Sequence, residues 1–522
     1  MDSSGGLSIV SDPTVGRAVA GIVQNAEEQS DTRALEHSFV DIGVLAQLKT
    51  PSSQILFGRR GTGKSHLLRL LAEHLNREQA SAAVYIDLRY LGSAQMMTAP
   101  AASVLTRCVS LFRDLLAQLQ SHLFDLAADP SHPERANAFE SVSQLYDTIA
   151  AVSSRVAARD ISTQHKFSEQ QSSSFSATLS AAPAAKLDLG SKGDTSMTVA
   201  EKYTEVFEDT VIFSEIGAAI DRVLDGLGIE NFVLVLDEWT TIPPDLQPYI
   251  AEYLKRTSTA ITRMKVKIGS LRLNAVLSTP GPGGGRIGFE FGNQINRIID
   301  LDNHYTFGSD PEAARQAFSD LLWRHLVSLI PDPQYLQNAY GIGSAVDLRT
   351  NLFEKDACFD DLLDAASGIA RDFLSSFTIA YFRAAAARTA KVELAAVRDA
   401  ARIAFEGAKL PNLSAEQEQM LYLIAVGLQA RNTGGAFALG RNDSSNNVIQ
   451  ALFDARVIHI VKSGYRVPSS AEPATIYCLD YGVGPWLGLQ ASSGAGVVRA
   501  GLYARTISPH VLDLATLSLP SL

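Results

Sequence analysis

The chain has 522 residues, 46% of them hydrophobic and 19% charged, with a formal net charge of −11. This length has room for two to four domains with substantial cores, and the acidic balance excludes a surface dominated by phosphate contacts. Cys108, Cys358 and Cys478 stand far apart, without metal-type spacing or a disulfide framework, as expected of a cytoplasmic protein. No apolar run approaches the length of a membrane span, and residues 1–16 lack the pattern of a signal peptide.

Residues 1–33 are rich in Ser, Gly, Asp and Gln and read as a flexible arm with a short helix near 15–28. Phe39 to Leu48 leads into the first strand and is expected to lie over a nucleotide base. Gln54-Ile55-Leu56-Phe57 is a short apolar run suited to a buried parallel strand. Next come Gly58, Arg59, Arg60, Gly61, Thr62, Gly63, Lys64 and Ser65, which satisfy G-x-x-x-x-G-K-[ST], and His66 continues as helix. In such a turn the glycines let successive N–H groups point inward at a helix N-terminus, onto a phosphate chain. Lys64 then reaches the β/γ-phosphates, and the Ser65 hydroxyl binds Mg²⁺. Strand before and helix after make ATP binding at residues 58–66 the leading expectation.

Ala83 to Leu88 reads as a second buried strand, which establishes the strand–helix–strand repeat of an α/β sheet. An insertion over about 94–210 follows. Residues 100–158 are helical by period, with Leu105, Val109, Leu111, Phe112, Leu115, Leu116 and Leu119 on one apolar face. Residues 160–200 are Ser/Ala/Gly-rich and read either as a flexible loop or as an exposed hairpin that touches a partner. A helix over 211–227 leads to Phe232-Val233-Leu234-Val235-Leu236-Asp237-Glu238. An apolar strand ending in two carboxylates is a Walker B pattern. Asp237 is placed to hold Mg²⁺ opposite Ser65, and Glu238 to take a proton from attacking water. A helix near 246–263, a strand at 266–270, a Gly/Pro loop over 279–285 and a fifth strand at 297–301 complete the sheet. The fold class is therefore α/β, a P-loop NTPase core with a five-stranded parallel sheet of the additional-strand type.

Residues 34–410 resemble an AAA+ ATPase, in the branch containing origin-recognition initiators and the related signalling ATPases. The resemblance implies a core over 34–310 and a helical lid over 311–410. It implies a sensor-1 polar residue at Ser270 and an arginine finger at Arg297, with Arg272 and Arg286 competing for that role. It also implies a sensor-2 arginine in a G-x-x-R turn, which Gly368-Ile369-Ala370-Arg371 matches, with alanine where the family usually has proline. A finger acts across subunits, so a homo-oligomer is implied too.

Residues 411–480 resemble the winged-helix domain that follows the lid in initiator ATPases. In that reading Asn446, Asn447, Gln450 and Arg456 face a DNA groove. Between 411 and 522, however, seven basic residues are matched by seven acidic ones, which argues against a strong DNA grip, and winged domains also dock proteins. Residues 481–522 carry no functional reading. Two functions remain open: an ATPase coupling its cycle to assembly or remodelling of a partner complex, DNA-linked or in a bacterial antiviral system, and a slow nucleotide-gated switch presenting its insertion and winged domain to a partner protein. A P-loop kinase is weaker, since nothing resembles an acceptor-binding lid.

Overall fold

A computed structural model describes residues 8–22, 36, 38–40, 43–92, 103–158, 160–167, 197–204, 211–272, 275–281, 284–304, 311–430, 435–466, 473–487 and 510–512. The core strands are β1 (Gln54–Phe57) and β2 (Ser81–Asp87). After an antiparallel ribbon, β3 (Asp160–Phe167) with β4 (Met197–Thr204), come β5 (Asn231–Asp237) and β6 (Met264–Ser270). A short hairpin, β7 (Ser278–Pro280) with β8 (Arg286–Gly288), precedes β9 (Arg297–Asp300). The main sheet is parallel throughout, in the order β2-β5-β6-β1-β9. β6 thus lies between β1, which leads into the glycine turn, and β5, which ends in the paired carboxylates, as the additional-strand reading requires.

Register brings the carboxyl ends together: Phe57 pairs with Ser270 and with Asp300, and Asp87 with Asp237. Ligands of open α/β sheets bind along this edge. Helices cover both faces, so the strands are buried on both sides and read as continuous apolar runs. One face packs against the helices Val104–Ala127, Phe213–Gly226 and Gln247–Ala260. The other packs against the phosphate-loop helix Lys64–Arg77 and the 44–48 leader.

Three expectations change. Of the arm over 1–33, residues 8–22 are not loose: Ile9, Val10, Val15, Val19 and Ile22 are buried in the lid's core. Asp12 caps the Pro13–Ala20 helix and accepts hydrogen bonds from Tyr335 and Tyr340, each at 2.7 Å. Part of the loop expected over 279–285 is strand: Ser278–Pro280 pairs with Arg286–Gly288. In the insertion, residues 160–167 and 197–204 pair as the ribbon β3–β4, whereas the alternation noted at Phe175 to Leu189 lies outside the described residues.

The lid runs from Pro311 to Ala404 as helices around a phenylalanine-rich core, Phe318, Phe353, Phe359, Phe373 and Phe377. Beyond it lie the helix Ala415–Ala430, β10 (Ala436–Leu439), the helix Asn447–Asp454, and an antiparallel pair, β11 (Ile458–Arg466) with β12 (Pro473–Leu479). The expected pairing of Ile458–Val461 with Ile476–Leu479 is present. β10 pairs with β12, and β13 (His510–Val511) pairs with β10; neither β10 nor β13 is evident from sequence. Leu512 is buried in this domain's core, so part of the 481–522 segment completes it.

Candidate nucleotide site at the carboxyl edge of the sheet

The turn between β1 and the Lys64–Arg77 helix has left-handed backbone at Gly61 (φ 88°) and Gly63 (φ 94°). A side chain at Gly61 would also meet Arg371 Cβ at 2.8 Å, so this position needs glycine for both conformation and space. Thr62 Oγ1 donates to the Arg59 carbonyl at 2.8 Å, and Lys64 Nζ donates to the same oxygen at 3.2 Å. Lys64 is only 4% exposed. Burial pushes its pKa down, and Glu238, Asp237 and Asp302 oppose that shift. Ser65 and His66 follow in the first helical turn, both half-buried, and the His66 ring lies 5.4 Å from that of Phe39.

Asp237 ends β5 fully buried. One carboxylate oxygen accepts the Glu238 N–H at 2.8 Å, and the other accepts the Tyr85 hydroxyl at 2.8 Å. A Cβ at Gly269 would fall 2.5 Å from Asp237 Oδ1 and 2.6 Å from Leu68 Cδ1. The carboxylate therefore occupies space left by a missing side chain on β6, beside the helix residue one turn beyond Ser65. A hydroxyl and a buried carboxylate are hard oxygen donors of the kind Mg²⁺ takes together with phosphates; Ser65 and Asp237 fit that ion.

Glu238 has left-handed backbone (φ 57°, ψ 44°), which costs a non-glycine residue roughly 1–2 kcal/mol. Strain of this kind persists where the surrounding structure imposes it. Burial raises the Glu238 pKa against the pull of Lys64, Arg89 and Arg60. A carboxylate displaced upward is a better proton acceptor near neutral pH.

Arg371 lies in the first turn of the lid helix Ala370–Ala387, and its backbone N–H donates to the Gly61 carbonyl at 3.1 Å. Its charge contributes to lowering the Lys64 pKa. The G-x-x-R turn is thus seated directly on the phosphate loop. Asp372, the next residue, pairs with Lys409 at 3.1 Å and with Arg456. Ser270, 1% exposed, stands beside Phe57 with its hydroxyl donating to the Leu271 carbonyl at 3.0 Å.

Arg297 is not at this edge. It opens β9 opposite Gln54, at the amino end of the sheet, and is exposed. Arg272 pairs with Asp300 at 2.7 Å and lies over the Phe57 ring, while Arg286 is exposed on the hairpin. Of the residues expected to face DNA, Asn446 caps its own helix by accepting from Val448 N–H at 2.8 Å. Arg456 turns inward to Asp372, which corrects its reading as a groove contact. Asn447 is exposed and Gln450 half-buried.

Ser38, Phe39, Val40, Val44, Thr62, Gly63 and His66 line a largely apolar cavity with lid residues that include Phe318 and Ala370. The leader expected to cover a base does line a cavity beside the phosphate loop. Three participants were not expected: Tyr85, Asp302 and Arg89. Asp302 accepts from the Arg59 backbone N–H at 3.1 Å and from Arg59 Nε at 3.1 Å. Only Tyr85 left a trace in the sequence, as a polar residue in an apolar strand near its carboxyl end.

Residues 23–92, which contain β1, the glycine turn and β2, match the family model described as ORC-CDC6-like. Over that stretch the P-loop core is similar to ORC-CDC6-like proteins. Among solved structures the chain is similar to the Aeropyrum pernix ORC2 protein in its ADPNP-ADP complexes, at 13% identity and a TM-score of 0.37, over 95% of this chain and 98% of that one. It is similar to Cdc6p from Pyrobaculum aerophilum at 13% identity and a TM-score of 0.33, over 94% and 98%. For Drosophila ORC bound to DNA the values are 12%, 0.30, 89% and 95%. No curated protein matches the chain in sequence. The strand order and the glycine turn, not these distant alignments, establish the P-loop fold. Among the described residues no helix is long and apolar enough to cross a membrane.

Proposed function

We propose that this chain binds ATP with Mg²⁺ on the 58–66 loop, hydrolyses it, and couples the cycle to assembly or remodelling of a partner complex. One observation carries the reading: Lys64 from the phosphate-loop helix, the adjacent Asp237 and Glu238 at the end of β5, and the lid's Arg371 meet around one glycine turn at the carboxyl edge of the sheet. In this assignment Lys64 and the loop amides bind phosphates, and Ser65 and Asp237 hold Mg²⁺, which neutralises phosphate charge. Glu238 accepts the proton of attacking water, Ser270 supports that water, and Arg371 approaches the γ-phosphate from the lid. Glu238→Gln keeps size and removes the acceptor. Turnover is expected to fall roughly 10²–10⁴-fold with ATP still bound; equal loss of binding and turnover would refute the division of roles.

Arg297, exposed and remote from its own loop, is assigned as a finger for a neighbouring subunit. Arg297→Ala chains mixed with Lys64→Ala chains should regain turnover, because some sites then hold both parts. A trans arginine contributes about 10³–10⁵ in rate in well-characterised nucleotide hydrolases. No recovery in confirmed oligomers would leave Arg297 a surface residue.

The slow-switch reading is favoured by a different observation, the burial of phosphate-loop Arg59 against the C-terminal domain. A low steady-state ATPase rate that a partner does not raise would select it. The helix–strand–helix order before the β11–β12 pair supports a winged-helix-like assignment for 411–480. With Arg456 turned inward, protein docking suits this domain better than DNA contact.

A further inference from the structure

Arg59 sits within the phosphate loop, yet its side chain turns away from it and is 5% exposed. Its guanidinium reaches three parts of the chain. Nε donates to Asp302 at 3.1 Å, one terminal nitrogen donates to the lid carbonyl of Ser367 at 2.9 Å, and the other donates to His459 Nδ1 on β11. The same group lies 5.6 Å from the ring centre of Phe453 in the Asn447–Asp454 helix. A guanidinium only donates, so His459 Nδ1 accepts and the ring proton resides on Nε2. Nε2 then donates to Asp480 Oδ2 at 2.9 Å. Asp480 also takes Lys409 at 2.6 Å and the Gly482 N–H at 3.0 Å. Lys409 pairs with Asp372, the residue after Arg371, and Asp372 pairs with Arg456. Lys409, His459, Asp480 and Asp372 are all less than 9% exposed.

One buried chain of contacts therefore begins in the phosphate loop, crosses the C-terminal domain, and returns to the helix that carries Arg371. We propose that this chain is a latch through which nucleotide binding and docking of the C-terminal domain are coupled, Arg59 and His459 being its positioning residues. The proposal rests on the nucleotide-site reading above. The latch fixes the Arg59 side chain, and with it the residue whose carbonyl receives both Lys64 and Thr62, so a docked domain steadies the loop that must cradle phosphates. Coupling is reciprocal for binding equilibria. Nucleotide must then tighten docking as much as docking tightens nucleotide.

The test uses the full chain, Mg²⁺ and a fluorescent ATP analogue, with two readouts. Equilibrium titration of wild type, Arg59→Ala, His459→Ala and the double variant should show about 5- to 100-fold weaker binding in each single variant. The double variant should be no weaker than the worse single one, because both cut the same link. Hydrogen exchange at residues 458–462 of the wild type should slow when the analogue binds, which requires no substitution. Asp480→Asn, close in size, should reproduce the weaker binding should His459→Ala fold poorly. Additive effects of the two substitutions, unchanged affinity, or exchange at 458–462 indifferent to the analogue would each overturn the latch. Failure of the nucleotide-site reading looks different: wild type and Lys64→Ala would then bind the analogue equally.

Discussion

Lys64 and Lys409 are each 4% exposed, and burial works against the charge of both. Their pKa values nonetheless move in opposite directions. That of Lys64, on the phosphate loop, is lowered; its ammonium donates to a neutral carbonyl, and the carboxylates that favour its charge act from a distance. That of Lys409, at the junction of lid and C-terminal domain, is raised, with Asp480 at 2.6 Å and Asp372 at 3.1 Å. The difference separates a binding region from a joint. At the joint the fold itself supplies counter-charge; at the loop it keeps a desolvated cation whose charge an anionic ligand would favour.

The backbone strain follows the same division. Of five non-glycine residues with positive φ among those described, Glu238 lies at the loop's acidic edge, and Ser367 and Arg456 lie in the joint. Ser367 offers its carbonyl to Arg59, and Arg456 reaches Asp372. Both regions therefore impose conformations that open solvent would not favour.

The largest expected effect breaks the joint. Lys409→Ala leaves Asp372 and Asp480 without their shared cation, and removing one partner of a buried ion pair costs about 3–5 kcal/mol. Urea unfolding should show this loss, and a midpoint within error of wild type would mean that the two lysines are alike after all. Lys64→Ala is the opposite case. Nucleotide affinity should fall by roughly 2–5 kcal/mol, the scale for truncating one member of a buried charge pair at an interface, while the unfolding midpoint stays level or rises. Loss of stability comparable with Lys409→Ala would erase the contrast.

The smallest effect sharpens the contrast through pH. Burial foremost, then the Arg59 and Lys409 charges, pushes the His459 pKa from 6.5 down to about 4, although Asp480 opposes this. The unfolded chain therefore binds a proton that the folded chain refuses between those values, so stability falls as pH drops from about 6.5 to about 4. Asp480, with its pKa depressed by Lys409 and His459, adds loss of the same sign as pH falls through the carboxylate range. His459→Gln should flatten the dependence of the urea midpoint on pH between 7 and 5. An unchanged slope would mean that the histidine does not couple protonation to folding.

Legible in local sequence were the phosphate loop, its flanking strand and helix, the paired carboxylates of β5 and the parallel sheet. Each is contiguous: a glycine turn declares its backbone, and an apolar run of strand length declares burial on both faces. The lid's G-x-x-R turn was likewise legible as a short pattern, and the structure seats it on Gly61. Tertiary structure alone decided what those local pieces meet. Periodicity shows that a face is buried but not against which partner, so nothing local marks Arg59 for His459, 400 positions away, or turns Arg456 from a groove toward Asp372. The same reason hid residues 8–22 within the lid and left β10 and β13 unseen. Two residues leave no pattern, and the four of β10, unlike those of β1, lead into no diagnostic turn; both become strands only because β12 and β10 offer them backbone partners.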